Sequence, residues 1–141
     1  MASSPLFTGT YTALVTPFGQ DGNIDDGAFR NLLEAQIAAG VEGVVILGTT
    51  GESPTLTDQE GAHLLAETVR IAKGKLRIIA GAGSNDTQKA LSHAEQARSL
   101  GADALIIVNP YYNKPTQEGL YRHFSLLADR VDLPQIVYNI R

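Results

Sequence analysis

The 141-residue chain contains no cysteine, no block of lysine or arginine, and no long apolar run. Without cysteine it can form neither a disulfide framework nor a thiolate metal site, and this composition suits a reducing compartment such as the cytoplasm. The net charge of −4 and the absence of a basic run argue against nucleic acid as a partner. A helix that spans a bilayer needs about 20 apolar residues, so the sequence predicts no membrane segment.

The rest of the composition is typical of one globular domain. With 43% hydrophobic and 18% charged residues, the chain can bury a core. Five short apolar runs without polar alternation predict strands that are covered on both faces, as in a parallel sheet. Each of the four gaps between the runs contains one helix-like segment. The predicted strands are residues 11–16, 43–47, 77–80, 104–108 and 135–138.

Capping residues predict where the four helices begin and end. Thr57 is followed by Glu60 at the spacing of a capping box. Short polar side chains at helix starts and glycines at helix ends supply the other signals. The predicted N-caps are Asp25, Thr57, Asn85 or Asp86, and Thr116, and the predicted stops are Gly40, Gly74 and Gly101.

An internal repeat indicates how these elements are assembled. Residues 40–46 resemble residues 101–107, which lie two strand-plus-helix units further along the chain. Repeated βα units favour a (β/α) barrel over an open sheet. A complete eight-unit barrel needs roughly 250 residues. We therefore expect residues 1–141 to form the N-terminal half of a single (β/α)8 TIM-barrel domain, with five parallel strands and four helices. An open five-stranded sheet is the alternative.

In parallel α/β folds, ligands bind beyond the carboxyl ends of the strands. Residues 48–53, with the sequence Gly-Thr-Thr-Gly-Glu-Ser, leave the second predicted strand. Free backbone N–H groups and threonine hydroxyls in such a turn can hold a small anion. Residues 81–83, Gly-Ala-Gly, lack the third glycine of a dinucleotide fingerprint, so we interpret them as close backbone packing.

Tyrosines leave the fourth and fifth predicted strands. The phenols of Tyr111, Tyr112 and Tyr138 can donate, accept and relay protons near an oxyanion. The alternative is an aromatic rim that fills the mouth of the barrel.

Histidines and lysines count against two other kinds of site. The three histidines are spaced 30 residues apart, but each falls inside a predicted helix, so we expect no metal site. We expect no cofactor either. None of the four lysines lies inside an apolar strand, where desolvation would lower its pKa enough to make it a nucleophile. The residues concerned are His63, His93, His123, Lys73, Lys75, Lys89 and Lys114.

Four segments together resemble one family. They are residues 13–18 (ALVTPF), residues 48–53 (GTTGES), residues 109–121 (NPYYNKPTQEGLY) and residues 138–139 (YN). This combination is similar to the dihydrodipicolinate synthase and N-acetylneuraminate lyase family of class I aldolase-type (β/α)8 barrels. It resembles the dihydrodipicolinate synthase branch more than the sialic acid lyase or sugar-acid aldolase branches.

The resemblance implies an activity and roles for particular residues. The family reaction would condense pyruvate with aspartate semialdehyde, on the diaminopimelate route to lysine, through an enamine on a lysine. Thr49 would relay protons between Tyr138 and Tyr112, and Tyr112 would come from a neighbouring subunit. The backbone N–H groups of Thr49 and Thr50 would hold the pyruvate carboxylate. The full-length protein would be a cytoplasmic homo-oligomer, a tetramer built from dimers.

Departures from the family pattern limit what is carried over. The Schiff-base lysine belongs to the sixth strand, which this chain does not reach, so we expect the isolated 141 residues to be inactive. Lysine-inhibited members use histidine and glutamate in a regulatory pocket. Here Asp58, Gly61 and Lys89 stand at such positions, which counts against feedback inhibition, although Ser53, Asn85 and Tyr111 agree.

Two other functions stay open at this point. One is a related pyruvate lyase with a different aldehyde partner, of the sialic acid or sugar-acid aldolase type. The other is a stand-alone α/β module that binds a small carboxylate without catalysis.

Overall fold

The computed structural model of the protein describes residues 6–140, in which five strands alternate with four α-helices. Residues 1–5 and 141 of the predicted domain lie outside the described residues. The strands are β1 (Tyr11–Ala13), β2 (Gly43–Ile46), β3 (Arg77–Gly81), β4 (Ala104–Val108) and β5 (Gln135–Tyr138), and the helices are α1 (Asp26–Ala39), α2 (Asp58–Ala72), α3 (Thr87–Leu100) and α4 (Gln117–Arg130). None of these helices is both long and apolar enough to cross a membrane.

The five strands form one parallel sheet in the order β1-β2-β3-β4-β5. Each strand pairs with the next strand along the chain, as in a barrel wall, because every crossover steps in the same direction. All five predicted strands are confirmed, but β1 ends at Ala13 rather than at Thr16. The apolar run continues past the strand because Leu14 is buried in the core while Val15 is half exposed.

The two faces of the sheet have different environments. Because side chains alternate along a strand, every second residue faces the helices. Residues of this face are at most 2% exposed and belong to the same core cluster as Leu33 of α1 and Leu127 of α4. They are Val44, Ile46, Ile78, Ala80, Leu105 and Ile107. The alternate residues Val45, Ile106 and Val108 line a cavity instead.

The helix starts follow the predicted caps. Thr57 and Glu60 form a reciprocal capping box at the start of α2. Of the two candidates for the third helix, Asp86 is the cap, because its carboxylate accepts hydrogen bonds from the first turn of α3. Asp25 and Thr116 cap α1 and α4.

The helix ends match at two of the three predicted glycines. Gly40 and Gly101 are left-handed C-caps with φ of 70° and 100°. The prediction for Gly74 is wrong by a short distance, since α2 ends at Ala72 and Lys73 is its cap. Gly74, with φ of 80°, makes the turn that follows.

The sequence repeat has a structural counterpart at the starts of β2 and β4. Glu42 precedes β2, and its carboxylate accepts a hydrogen bond from the backbone N–H of Thr10. Asp103 precedes β4, and its carboxylate accepts one from the N–H of Ile78 at 2.9 Å. In each case an acidic residue before an even-numbered strand ties it to the preceding odd-numbered strand.

Candidate active site

A cavity of about 570 Å³ lies at the carboxyl ends of the strands. Its floor is the sheet face that carries Val45, Ile106 and Val108, and its walls are the loops that leave β2, β3, β4 and β5 together with parts of α2 and α3. Thr49, Thr50 and Tyr138 all line it. The structure therefore brings three of the four predicted site residues to one cavity, where the barrel rule places ligands.

The turn at residues 48–53 presents two unpaired backbone donors. Three of its N–H groups are used internally: Gly51 donates to the carbonyl of Gly48 and Glu52 to that of Thr49, both at 3.1 Å, and Ser53 donates to the carbonyl of Gly48 at 3.4 Å. Within residues 6–140, no protein acceptor pairs with the N–H of Thr49 or Thr50. Two adjacent free donors beside a cavity can bind a carboxylate.

Left-handed backbone occurs just before this turn and within it. Leu47 has φ of 57° and Glu52 has φ of 55°, a conformation that residues other than glycine rarely adopt. Such a backbone persists only where neighbouring structure fixes it. The turn is therefore held in place by contacts with the rest of the protein.

Two of these contacts come from the segment that follows β1 and from β3. The hydroxyl of Thr16, a residue only 5% exposed, donates to the carbonyl of Gly51 at 2.7 Å. At Gly81 in β3, an added β-carbon would lie 2.5 Å from the carbonyl carbon of Leu47, closer still to its oxygen, and 3.1 Å from the nitrogen of Gly48. Close backbone packing at residues 81–83 is thus confirmed.

The tyrosines separate into two groups. Tyr138 is the last residue of β5 and lines the cavity. Tyr111, in the loop after β4, also lines the cavity. Tyr112 is 93% exposed, has φ of 69°, and is not among the lining residues. Its loop is anchored to another part of the chain, because the side-chain amide of Asn113 donates to the carbonyl of Asn85 at 3.0 Å. The phenol of Tyr112 therefore faces away from this chain's own site.

Comparison with known proteins agrees with this geometry. The model of the dihydrodipicolinate synthetase family matches residues 6–141. The chain belongs to this family.

Named relatives and solved structures of the family are similar to nearly the whole chain. The 4-hydroxy-tetrahydrodipicolinate synthase of Gluconacetobacter diazotrophicus is 53% identical over 135 residues, which is 96% of this chain and 46% of that protein. The enzyme of the same name from Chelativorans sp. is 54% identical over the same shares. The crystal structure of dihydrodipicolinate synthase from Aquifex aeolicus superposes with a TM-score of 0.92 at 46% identity, over 95% of this chain and 45% of that one.

The chain spans just under half the length of the dihydrodipicolinate synthases that it matches. Its five parallel strands and four helices are the first half of a TIM barrel. This confirms the half-barrel prediction over the open sheet.

The three histidines of this family member lie on helices, as predicted. One ring nitrogen of each histidine contacts the first residue of the preceding helix. His63 contacts Asp26 at 2.7 Å, His93 contacts Asp58 at 3.1 Å, and His123 contacts Thr87 at 2.9 Å. They join successive helices rather than meeting at one point. In the part of the chain that the structure describes, no three histidine, aspartate or glutamate side chains are arranged to hold a metal.

A charged cluster lines the outer part of the cavity. Besides its contact with His93, Asp58 lies 3.8 Å from the ammonium of Lys89. The hydrogen bond and charge of His93, together with the charge of Lys89, lower the pKa of the Asp58 carboxyl. All four lysines are exposed, and none lies on a strand.

Sequence reasoning missed Thr16 as the partner of Gly51, and it predicted close packing at Gly81 without identifying Leu47 as the neighbour. A threonine at the end of an apolar run was the available signal for Thr16, but its partner lies 35 residues away.

Proposed function

We propose that this chain is the first half of a 4-hydroxy-tetrahydrodipicolinate synthase, a lyase-type enzyme that condenses pyruvate with aspartate semialdehyde in the diaminopimelate route to lysine. Residues 1–141 would be the N-terminal half of one barrel domain. The observation that carries the proposal is the pair of unpaired N–H groups at Thr49 and Thr50, which border the same cavity as the Tyr138 phenol.

The pyruvate carboxylate is bound by these two N–H groups. Hydrogen bonds to a charged acceptor are stronger than neutral ones, and fixed donors need no reorganisation when the ligand binds. When the carboxylate is bound at these N–H groups, the ketone carbon of pyruvate points into the cavity. The reacting carbon is thereby oriented for attack by an amine, which lowers the entropic part of the barrier.

Tyr138 and Thr49 move protons during formation and breakdown of the imine. When an amine attacks the ketone, the carbinol oxygen must be protonated before it leaves as water. The Tyr138 phenol supplies this proton as general acid, and the Thr49 hydroxyl passes protons between Tyr138 and Tyr112. No metal or cofactor takes part in this scheme.

Tyr112 completes the site of a neighbouring subunit. Its 93% exposure and left-handed backbone support this assignment, because the surrounding loop holds a large aromatic side chain away from its own cavity. Tyr121 of α4, 69% exposed, adds a second aromatic ring to the surface of the chain. The complete enzyme is a homo-oligomer, a tetramer built from dimers, and acts in the cytoplasm, which suits a chain without cysteine.

The amine that forms the Schiff base belongs to the second half of the barrel, so the isolated chain is inactive. Borohydride reduction in the presence of pyruvate tests this directly, because it converts the imine into a stable adduct that mass spectrometry detects. The complete protein should form the adduct and the 141 residues should not. A specific adduct on the isolated chain would overturn the placement of the nucleophile.

The same preparation separates the competing functions. Turnover with aspartate semialdehyde, and none with sugar acids, supports the proposed substrate pair, whereas the reverse result points to a sugar-acid lyase. Pyruvate binding by the complete protein without any adduct or product would support a non-catalytic carboxylate-binding module instead.

A mixing experiment tests the origin of Tyr112. Tyr112→Phe and Tyr138→Phe should each inactivate the enzyme when expressed alone. If Tyr112 acts across a two-fold interface, each mixed dimer contains one site with both tyrosines intact. Random mixing of equal amounts makes about half of the dimers mixed, so activity should recover to roughly a quarter of wild type. Failure to recover would place both tyrosines in one subunit's site.

A further inference from the structure

We propose that Thr16 is a positioning residue that aims the N–H groups of Thr49 and Thr50 at the substrate carboxylate. This inference rests on the proposed function, because it concerns how the same turn binds pyruvate. Thr16 acts through the carbonyl of Gly51, and its side chain does not itself touch the substrate.

The burial of Thr16 sets its hydroxyl apart. Within residues 6–140, the buried threonines are Thr16 and Thr68. The Thr68 hydroxyl donates to the carbonyl of Leu64 one turn earlier in its own helix, at 2.7 Å. The Thr16 hydroxyl instead crosses from the segment after β1 to the turn after β2, at the same distance of 2.7 Å. It therefore joins two strand ends at the cavity.

The turn has few other means of fixing the direction of Gly51. Its internal hydrogen bonds occupy the carbonyls of Gly48 and Thr49, and leave the carbonyl of Gly51 to Thr16. Gly51 is buried, and an added β-carbon would lie 3.2 Å from the carbonyl oxygen of Leu14. The Gly51 carbonyl thus points into protein, where a missing hydrogen bond is costly.

Loss of the hydroxyl would change the substrate-binding backbone. Without it, the buried Gly51 carbonyl has no partner, and rotation of its peptide to reach water also moves the N–H of Glu52. That N–H donates to the carbonyl of Thr49 at 3.1 Å, and the peptide of that carbonyl carries the Thr50 N–H, which then loses its fixed direction toward the cavity. The left-handed backbone at Leu47 and Glu52 lowers the resistance to this change, because a strained turn relaxes when a restraint is removed. The affinity for pyruvate should fall, while binding of the second substrate should not.

Three variants of the complete protein test the inference. Thr16→Val removes the hydroxyl at nearly constant volume, Thr16→Ser keeps it, and Thr68→Val removes an equally buried hydroxyl on α2 as a matched control. Thr16→Val should raise the KM for pyruvate about tenfold, the usual scale for one lost hydrogen bond. Its KM for aspartate semialdehyde should stay within about twofold, since only the carboxylate-binding turn is altered.

The two control variants separate positioning from stability. Thr16→Ser should return the pyruvate KM to within about threefold of wild type, because the donor is restored. Thr68→Val should leave both KM values unchanged whatever its effect on the Tm, because the Leu64 carbonyl keeps its helical N–H partner. A general loss of stability would not reproduce this pattern.

The possible failures are distinguishable. A Thr16→Val enzyme with the wild-type pyruvate KM overturns the role of Thr16, as does an equal rise in both KM values. A wild-type protein that neither binds pyruvate nor forms the borohydride adduct overturns the proposed function instead. If Thr16→Val does not fold, Thr16→Ala decides the same question by the same two KM values.

Discussion

Replacing Gly81 by alanine tests whether the backbone at Leu47, directly after β2, can keep its position only because the neighbouring residue in β3 is a glycine. The new β-carbon would lie 2.5 Å from the carbonyl carbon of Leu47, against about 3.5 Å for a comfortable carbon–carbon contact. The Leu47 peptide must therefore move by about 1 Å. The three atoms nearest to the added β-carbon all belong to the backbone, so no flexible side chain can move aside to relieve the clash.

The expected cost follows from this displacement. Overpacking a well-packed interior costs about 1–3 kcal/mol, and a clash with backbone belongs at the upper end. The reduced entropy of the unfolded chain returns up to about 1 kcal/mol. We expect the free energy of unfolding to fall by about 2 kcal/mol. The KM for pyruvate should rise as well, because the displaced Leu47 peptide leads directly into the turn at residues 48–53, the anion-binding turn.

Urea denaturation of the complete protein measures this change as a lower midpoint at constant m value. Gly61→Ala is the matched control, because this residue lies within α2 and its β-carbon would lie 3.8 Å from a methyl group of Leu47, an ordinary van der Waals contact. That substitution should stabilise by about 0.5–1 kcal/mol, since alanine is the better helix former. A Gly81→Ala protein within about 0.5 kcal/mol of wild type would refute the reasoning.

Three other predictions concern residues outside the anion-binding turn. His123 is 4% exposed, and burial lowers its pKa below 6.5, so the unfolded chain binds the proton more readily. The contribution of neutral His123 to the free energy of unfolding is present above pH 6.5 and is lost as the pH falls below that value. His123→Leu should therefore flatten this part of the curve of Tm against pH. An unchanged curve would contradict the lowered pKa of His123. Thr57→Ala should cost about 1 kcal/mol in urea denaturation by removing the capping box, and Thr57→Ser should cost much less. Free lysine should leave the initial rate of the complete enzyme unchanged, because the ammonium groups of lysine would meet Lys89 while His93 already engages Asp58. Inhibition by lysine would contradict this prediction and show that the part of the cavity beside these three residues accepts lysine.

The strands and the helix starts were predictable because their signals are local. A strand needs an apolar run of the right length, and a cap needs one polar side chain within three residues of the helix. The cap at Asp86 was left between two candidates because adjacent asparagine and aspartate carry the same signal. The end of α2 was misplaced for the same kind of reason, since a glycine marks a turn but not its exact offset from the last helical residue.

The contents of the cavity were predictable in part. Thr49 and Thr50 follow β2 and Tyr138 ends β5, and parallel pairing brings the carboxyl ends of strands to one edge whatever the details of packing. Tyr111 and Tyr112 are neighbours in the sequence with the same side chain, yet one lines the cavity and the other is 93% exposed. The backbone angle of Tyr112 decides this difference, and composition carries no sign of it.

The amino-acid sequence by itself determined the alternation of strands and helices, the loop with free donors, and the membership of a family. Only the tertiary structure decided what holds that loop. The bond from Thr16 to Gly51 and the approach of Leu47 to Gly81 join residues more than 30 positions apart. They exist because β1, β2 and β3 pair in one particular register, and a register is a property of the assembled sheet rather than of any single segment.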